Sequence, residues 1–263
     1  MNIPKVLAAA GLAALLACLP FAAVAASGTA LGVKPQASVD SSGASRVLTV
    51  GADIFIGDEV NTGPKGLVQI KFADKTELVV GPNSSLVIED YLLRDDQSAG
   101  KLAINALSGT FRFATGGAPK DRYIIDTPTG TIGVRGTAFD FIVDGEGTKV
   151  LLFHGSVQLC NLAGSCVTLA DTCEIGGSSL MQSSSIGTPD ALNKADRATL
   201  KAAFRFAEVQ SPLLRSFWVE NARQCFNSGF TPPPITESLM HQEPSQPDPV
   251  IVPPPCDYYC YPD

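Results

Sequence analysis

The chain has 263 residues, of which 45% are hydrophobic, so it holds enough apolar material for the core of one or two domains. Nineteen basic and 26 acidic side chains give a net charge of −7, and the basic residues are scattered along the sequence. A nucleic-acid partner is therefore not expected, because binding phosphates requires a concentrated basic surface. With 24 glycines, 19 prolines and only two histidines, the composition favours a turn-rich β protein with little material for acid-base or metal chemistry.

Residues 1–26 have the pattern of a secretory signal peptide. Lys5 precedes an apolar run over residues 6–17, and small residues follow. We therefore predict cleavage after Ala25 or Ala26 and a periplasmic or secreted protein.

Lipidation of Cys18 is a less favoured alternative. A Leu-Leu-Ala-Cys sequence ends at this residue and resembles the lipobox of a lipoprotein. More apolar sequence follows Cys18, however, and the signal-peptidase site described above lies further along the chain.

Removal of the signal peptide leaves an even number of cysteines, which in an exported chain indicates disulfides. They are Cys160, Cys166, Cys173, Cys225, Cys256 and Cys260. Their spacing favours pairing the first two, the middle two and the last two. A zinc site that combines His154 with the first three cysteines is disfavoured, because no CxxC spacing occurs and an oxidising compartment works against free thiolates.

Residues 27–45 are predicted to form a linker, and residues 46–177 are predicted to form an all-β domain. Apolar and polar residues alternate in short runs such as residues 68–72, and Phe139 and Phe141 flank Asp140 in the same way. We predict a β sandwich or roll, with a β-solenoid as the alternative. The two rings are expected to be buried and Asp140 to tolerate replacement by Asn.

Six blocks within this region resemble the FecR domain family. In chain order they are residues 57–62, 68–74, 78–86, 107–111, 125–128 and 133–139. The last two contain the Thr-Pro and Gly-Thr-x-Phe sequences that mark the family best. One departure is Lys75, which follows Asp74 where the family has glycine and which predicts a turn other than type I′, or a bulge.

The resemblance to FecR domains covers about half of the chain and implies a periplasmic module that binds another protein, as in iron-dicitrate signal transducers. Those transducers also have a cytoplasmic anti-sigma part and a membrane helix before the domain. Neither is expected here, so signalling to a sigma factor is not expected to run through this chain alone.

Residues 188–229 are predicted to form an α-helical hairpin. Pro189 and Pro212 each follow a Ser or Thr, as at helix starts, and an apolar stripe runs along each predicted helix. Docking of these stripes on the β domain is favoured over a role in binding a partner or a membrane surface.

Residues 230–263 are predicted to form a disordered Pro-rich tail. Near its end, a bond between Cys256 and Cys260 would enclose Tyr258 and Tyr259 in a small loop. This tyrosine pair is a candidate partner contact, but a loop at a disordered end that contacts nothing is the favoured interpretation.

The sequence predicts no enzyme, no cofactor and no metal site. His154 and His241 have no accompanying nucleophile and orienting carboxylate in the sequence pattern. The predicted function is a periplasmic protein-interaction or signalling-adaptor module that binds a protein of the periplasm or envelope. The alternative is a structural, envelope-associated scaffold, lipid-anchored or peripherally bound to the membrane.

Overall fold

The computed structural model describes residues 25–93, 99–116 and 123–227. Within these ranges, 15 strands precede a short helical segment. The strands are β1 (Gly28–Lys34), β2 (Ala37–Ser41), β3 (Ala44–Val47), β4 (Asp53–Ile54), β5 (Glu59–Thr62), β6 (Leu67–Phe72), β7 (Glu77–Val80), β8 (Ser85–Leu93), β9 (Ala99–Ala114), β10 (Tyr123–Thr127), β11 (Gly130–Asp144), β12 (Gly147–Asn161), β13 (Cys166–Leu169), β14 (Ile175–Ser178) and β15 (Ser183–Gly187).

The strands form one open hydrogen-bonded network. The central path runs β15-β14-β12-β11-β10-β9-β7-β6-β1-β4, and β2, β3, β5, β8 and β13 pair beside it. The first half of β9 pairs with β8 and β10, whereas its second half pairs with β7 and β11. The long strands therefore bend and change partners along their length.

The bend in the β11–β12 hairpin occurs at two glycines. Gly136 and Gly155 have φ angles of 58° and 87°, and the register of the pair shifts next to them. A Cβ on Gly155 would lie 2.3 Å from the carbonyl oxygen of Gly136, so the two backbones approach closely only without a side chain there.

The predicted linker over residues 27–45 is wrong, because this stretch forms β1, β2 and the start of β3. Strand β1 pairs with β4 and β6, and the side chains of Ala30 and Val39 are fully buried. The buried positions that alternate along these strands are mostly occupied by small residues. Alanine and glycine give a much weaker apolar pattern in the sequence than leucine or phenylalanine. The β structure also continues to Gly187, beyond the predicted boundary at residue 177.

The predicted helical hairpin over residues 188–229 is also wrong in its second half. The chain forms α1 (Lys194–Ala203) and the single turn α2 (Arg205–Glu208), followed by 3₁₀ turns at Arg215–Phe217 and Ala222–Cys225. Asn193 rather than Thr188 caps α1, since its side chain accepts the backbone N–H groups of residues 195 and 196.

We call residues 188–227 the C-terminal segment. Its apolar residues dock on the sheet, as the sequence indicated. Phe204, Ala207 and Phe226 join one apolar cluster with Leu151 and Phe153 of β12. Other residues of the segment form a second cluster against β6 and β7. These contacts keep the segment on the sheet, although two 3₁₀ turns take the place of the predicted second helix.

No helix in the described ranges is long and apolar enough to cross a membrane. The predicted signal peptide, apart from its last two residues, and the predicted Pro-rich tail lie outside the described residues. Both stay predictions.

Phenylalanine rings form part of the main core on one face of the strand network. Phe111, Phe113, Phe139 and Phe141 are fully buried. The ring centroids of Phe111 and Phe141 lie 4.8 Å apart, and those of Phe113 and Phe139 lie 5.7 Å apart. The cross-strand register of β9 and β11 brings each pair together.

Replacing Phe139 by Ala should therefore lower the free energy of unfolding by about 3–5 kcal/mol, because it removes a buried ring and leaves a cavity. Chemical denaturation of the purified protein measures this loss. Leu162→Ala is the control, since the Leu162 side chain is 71% exposed. A Phe139→Ala protein as stable as the parent would contradict the placement of this ring.

Candidate interaction site

A buried ion pair joins β9 and β11 on the face of the sheet opposite the phenylalanine core. Arg112 Nε donates to Asp140 Oδ1 at 2.6 Å, and Arg112 Nη2 donates to Asp140 Oδ2 at 3.0 Å. The two side chains are 2% and 0% exposed. Because Arg112 and Asp140 are register partners, the strand pairing itself brings the guanidinium and the carboxylate into this bidentate contact.

The C-terminal segment covers this ion pair. Gln210 Oε1 accepts hydrogen bonds from Arg112 Nη1 and from the backbone N–H of Val219, while Gln210 Nε2 donates to the Val219 carbonyl. The rings of Phe153 and Phe206 lie 5.2 and 6.0 Å from the Arg112 guanidinium carbon. The guanidinium is thus enclosed by a carboxylate, an amide and two aromatic rings.

The expectation that Asp140 tolerates replacement by Asn conflicts with this burial. Burial raises the pKa of Asp140 above its ordinary value, and the charge and hydrogen bonds of Arg112 oppose that rise. Alternation along β11 separates Asp140 from the phenylalanine face correctly. It does not reveal that the second face is covered as well.

A second buried polar cluster supports the hairpin between β6 and β7. Asp74 accepts hydrogen bonds from Tyr123 Oη and Thr76 Oγ1, each at 2.7 Å, and its backbone N–H donates to Tyr91 Oη at 2.9 Å. Burial raises the pKa of Tyr91 to about 12. Lys75 follows in the left-handed region, with a φ of 71°. The cluster fixes Asp74 in this hairpin, where the sequence departs from the family pattern.

Two pairs of cysteines lie at bonding distance, and they are the pairs that the spacing favoured. Cys160 and Cys166 Sγ atoms are 2.01 Å apart and connect β12 to β13, and Cys173 and Cys225 Sγ atoms are 2.08 Å apart. The second bond fastens the C-terminal segment to the loop before β14. Cys18, Cys256, Cys260, Tyr258 and Tyr259 lie outside the described residues.

His154, which was considered for zinc binding and for catalysis, lies on β12 with an exposed side chain. His241 lies outside the described residues. The backbone carbonyl of His154 accepts a hydrogen bond from Thr137 Oγ1. In the described part of the chain, no group of three or more His, Cys, Asp or Glu residues is arranged to hold a metal ion.

An open groove of about 480 Å³ lies between the C-terminal segment and the β-sheet. We call it the basic groove. It is lined on the sheet side by Lys34, Lys65 and Leu67, and on the side of the C-terminal segment by Lys201, Arg205, Phe206, Glu208 and Val209.

The charges of the basic groove are only partly compensated. Lys201 Nζ lies 3.2 Å from Glu208 Oε2, so these two charges offset each other. The side chains of Lys34, Lys65 and Arg205 are exposed and make no ion pair or hydrogen bond with any other described residue. The groove therefore presents a net positive surface on a protein of negative net charge.

Two glycines allow close contacts in and beside the groove. A Cβ on Gly81 would lie 2.6 Å from the Thr110 carbonyl oxygen and 3.1 Å from the Phe206 ring, and a Cβ on Gly66 would lie 2.4 Å from the Gln36 carbonyl oxygen. Side chains at these positions would push Phe206 and the neighbouring loop outward. Sequence reasoning missed the groove because its unpaired cations are far apart in the chain.

Residues 58–158 match the family model described as FecR protein. This part of the chain is a FecR domain. Two crystal structures of a candidate anti-sigma factor from Parabacteroides distasonis ATCC 8503 also match, with TM-scores of 0.38 and 0.40 and sequence identities of 16% and 15%. The matches cover 49% and 55% of this chain and 57% and 63% of those chains. No curated protein gives a significant match.

The FecR domain supplies only part of the features described above. Arg112 and Asp140 both lie within it, whereas Gln210 lies in the C-terminal segment. In the same way, the domain contributes Lys65 to the basic groove, while Arg205 comes from outside the matched region. Both the cover of the ion pair and the groove therefore require residues that flank the FecR domain.

Asp140→Asn should lower the free energy of unfolding by about 3–5 kcal/mol, because it leaves the Arg112 charge buried without a counter-charge. Replacing both partners, as Arg112→Met with Asp140→Leu, should cost less than the single change, since no charge is then left in the interior. Chemical denaturation of the single variant and of the double variant measures both effects. A double variant less stable than Asp140→Asn would contradict the assignment.

Proposed function

We propose that this protein is an exported, non-catalytic protein-interaction or signalling-adaptor module of the periplasm. The observation that carries the proposal is the basic groove, which β1, the FecR domain and the C-terminal segment build together. Its uncompensated cations and exposed rim suit contact with another macromolecule, because charge complementarity steers and orients partners.

Export is supported by the two disulfides and by the signal-peptide pattern of residues 1–26. Disulfides persist in oxidising compartments such as the periplasm and are rare where thiols are kept reduced. Membership of the FecR family favours a regulatory rather than an enzymatic role.

The test is site-specific crosslinking in cells that produce the full chain. A photoreactive amino acid at Ala202, which lines the groove, should give a crosslinked protein product, whereas the same group at the exposed Ala44 on β3 should not. The crosslinked form should appear in the periplasmic fraction and contain no free thiol. Equal products at both positions, or a cytoplasmic protein with reactive thiols, would contradict the proposal.

The alternative function, an envelope-associated scaffold, is favoured by one different observation. Leu162, Leu180 and Met181 are 71%, 60% and 88% exposed and lie in two neighbouring loops. The Asn161 side chain donates to the Leu180 carbonyl at 3.4 Å, which holds the loops side by side. We call these three residues the apolar tip. Adjacent exposed apolar side chains are typical of surfaces that contact a partner or a membrane.

If the apolar tip attaches the protein to the envelope, Leu180→Ser with Met181→Ser should move the protein from the membrane fraction to the soluble fraction. Val47→Ser is the matched control, because Val47 is 80% exposed and lies elsewhere on the surface. If the tip variant does not change the distribution of the protein between the two fractions, attachment through the apolar tip is contradicted and the groove is the favoured interaction site. Lipidation of Cys18 would support the envelope-associated scaffold and stays a prediction. A partner contact through Tyr258 and Tyr259 would support the adaptor role and stays a prediction as well.

A further inference from the structure

We propose that the basic groove binds an extended, acidic peptide segment of a partner protein, with one apolar side chain of that segment seated between the charged walls. This inference rests on the proposed function and specifies the chemistry of the partner.

The charges of the groove favour carboxylates on both sides of a bound segment. Lys34 ends β1 and Lys65 lies in the loop before β6, whereas Arg205 begins α2 on the opposite wall. Glu208 is the one acidic residue in the lining, and Lys201 and Asn227 already engage its carboxylate. A ligand with acidic residues before and after its centre would therefore meet a cation on each wall.

The floor of the groove favours an apolar group at the centre of the ligand. Leu67 and Phe206 form this floor and are each 3% exposed, and Val209 beside them is 46% exposed. Pro64, Pro82 and Pro212 line the rim. Burying an apolar side chain there would remove the exposed part of Val209 from water.

The open shape of the groove favours a peptide over a small molecule. Lys34, Lys65, Ala202, Arg205 and Val209 line it and are all exposed, whereas a site for a small ligand buries most of the ligand surface. An anionic membrane is a weaker fit, because only three cations are uncompensated and the whole protein has a net charge of −7.

The direct test measures binding of a fluorescein-labelled peptide of sequence EDELFEDE to the full mature chain by fluorescence anisotropy. Its matched control is the amide peptide QNQLFQNQ, which has the same size and the same apolar centre. We expect the acidic peptide to bind about tenfold or more tightly than the amide peptide at low salt, and the difference to shrink as salt is added.

Neutral variants locate the site. Lys34→Gln, Lys65→Gln and Arg205→Gln together should weaken binding of the acidic peptide by about tenfold or more. The matched control removes three exposed cations that do not line the groove, as Lys75→Gln, Arg135→Gln and Lys194→Gln, and should change the affinity by less than about twofold. Circular dichroism melting curves identify any variant that fails to fold.

A second variant blocks the groove without changing its charge. Ala202→Trp should fill the space beside Phe206 and abolish peptide binding, whereas Ala163→Trp on a distant exposed loop should not. Equal binding of the amide peptide, or full binding by the groove variants, would overturn the inference. Binding to vesicles of phosphatidylglycerol and phosphatidylcholine in place of the acidic peptide would overturn it in favour of a lipid surface.

The outcomes also separate this inference from the proposed function. If the peptides do not bind while Ala202 still crosslinks a protein in cells, only the acidic chemistry of the partner is wrong. If neither peptide binding nor crosslinking occurs, the groove is not an interaction site and both proposals fall.

Discussion

The structure depends on the burial of one ion pair on the face of the sheet that the phenylalanine core does not use. Removing a guanidinium and a carboxylate from water is costly unless their hydrogen bonds are replaced. The strand register places Arg112 beside Asp140, and Gln210 supplies a further hydrogen-bond acceptor to the guanidinium. The C-terminal segment is therefore an integral part of the fold, since without it this pair would face water.

The same cover shapes the basic groove. Phe206 contacts the Arg112 guanidinium from one side and forms the floor of the groove on the other. Gly81 lets that ring lie against the sheet. A change in how the C-terminal segment sits on the ion pair would therefore move Arg205 relative to Lys65. In this way a buried ion pair in the interior affects the spacing of charges on the surface.

Strands whose buried positions hold large apolar residues can be predicted from the sequence. Strands built from small residues, and segments whose conformation depends on tertiary contacts, cannot. Phe139 and Phe141 mark β11 because bulky rings on alternate positions give a strong period-two signal. Ala30 and Ala37 are buried in the first two strands, yet their small side chains give little signal, and the region looked like a linker. Ser211-Pro212 is a good local helix start, but the side chain of Gln210 bonds to the backbone of Val219 and holds the chain in a different path. The basic groove could not be predicted because it depends on the distance between walls that are remote in sequence.

The bond between Cys173 and Cys225 also affects how the C-terminal segment behaves when its packing is disturbed. The two cysteines are 52 positions apart and close a loop that contains α1, α2 and Gln210. A segment held at both ends of such a loop cannot diffuse away when its apolar contacts break, so its return to the sheet is an intramolecular step at high effective concentration. Local opening of the groove wall is therefore reversible within a single molecule, and the wall re-forms without competition from other copies of the chain.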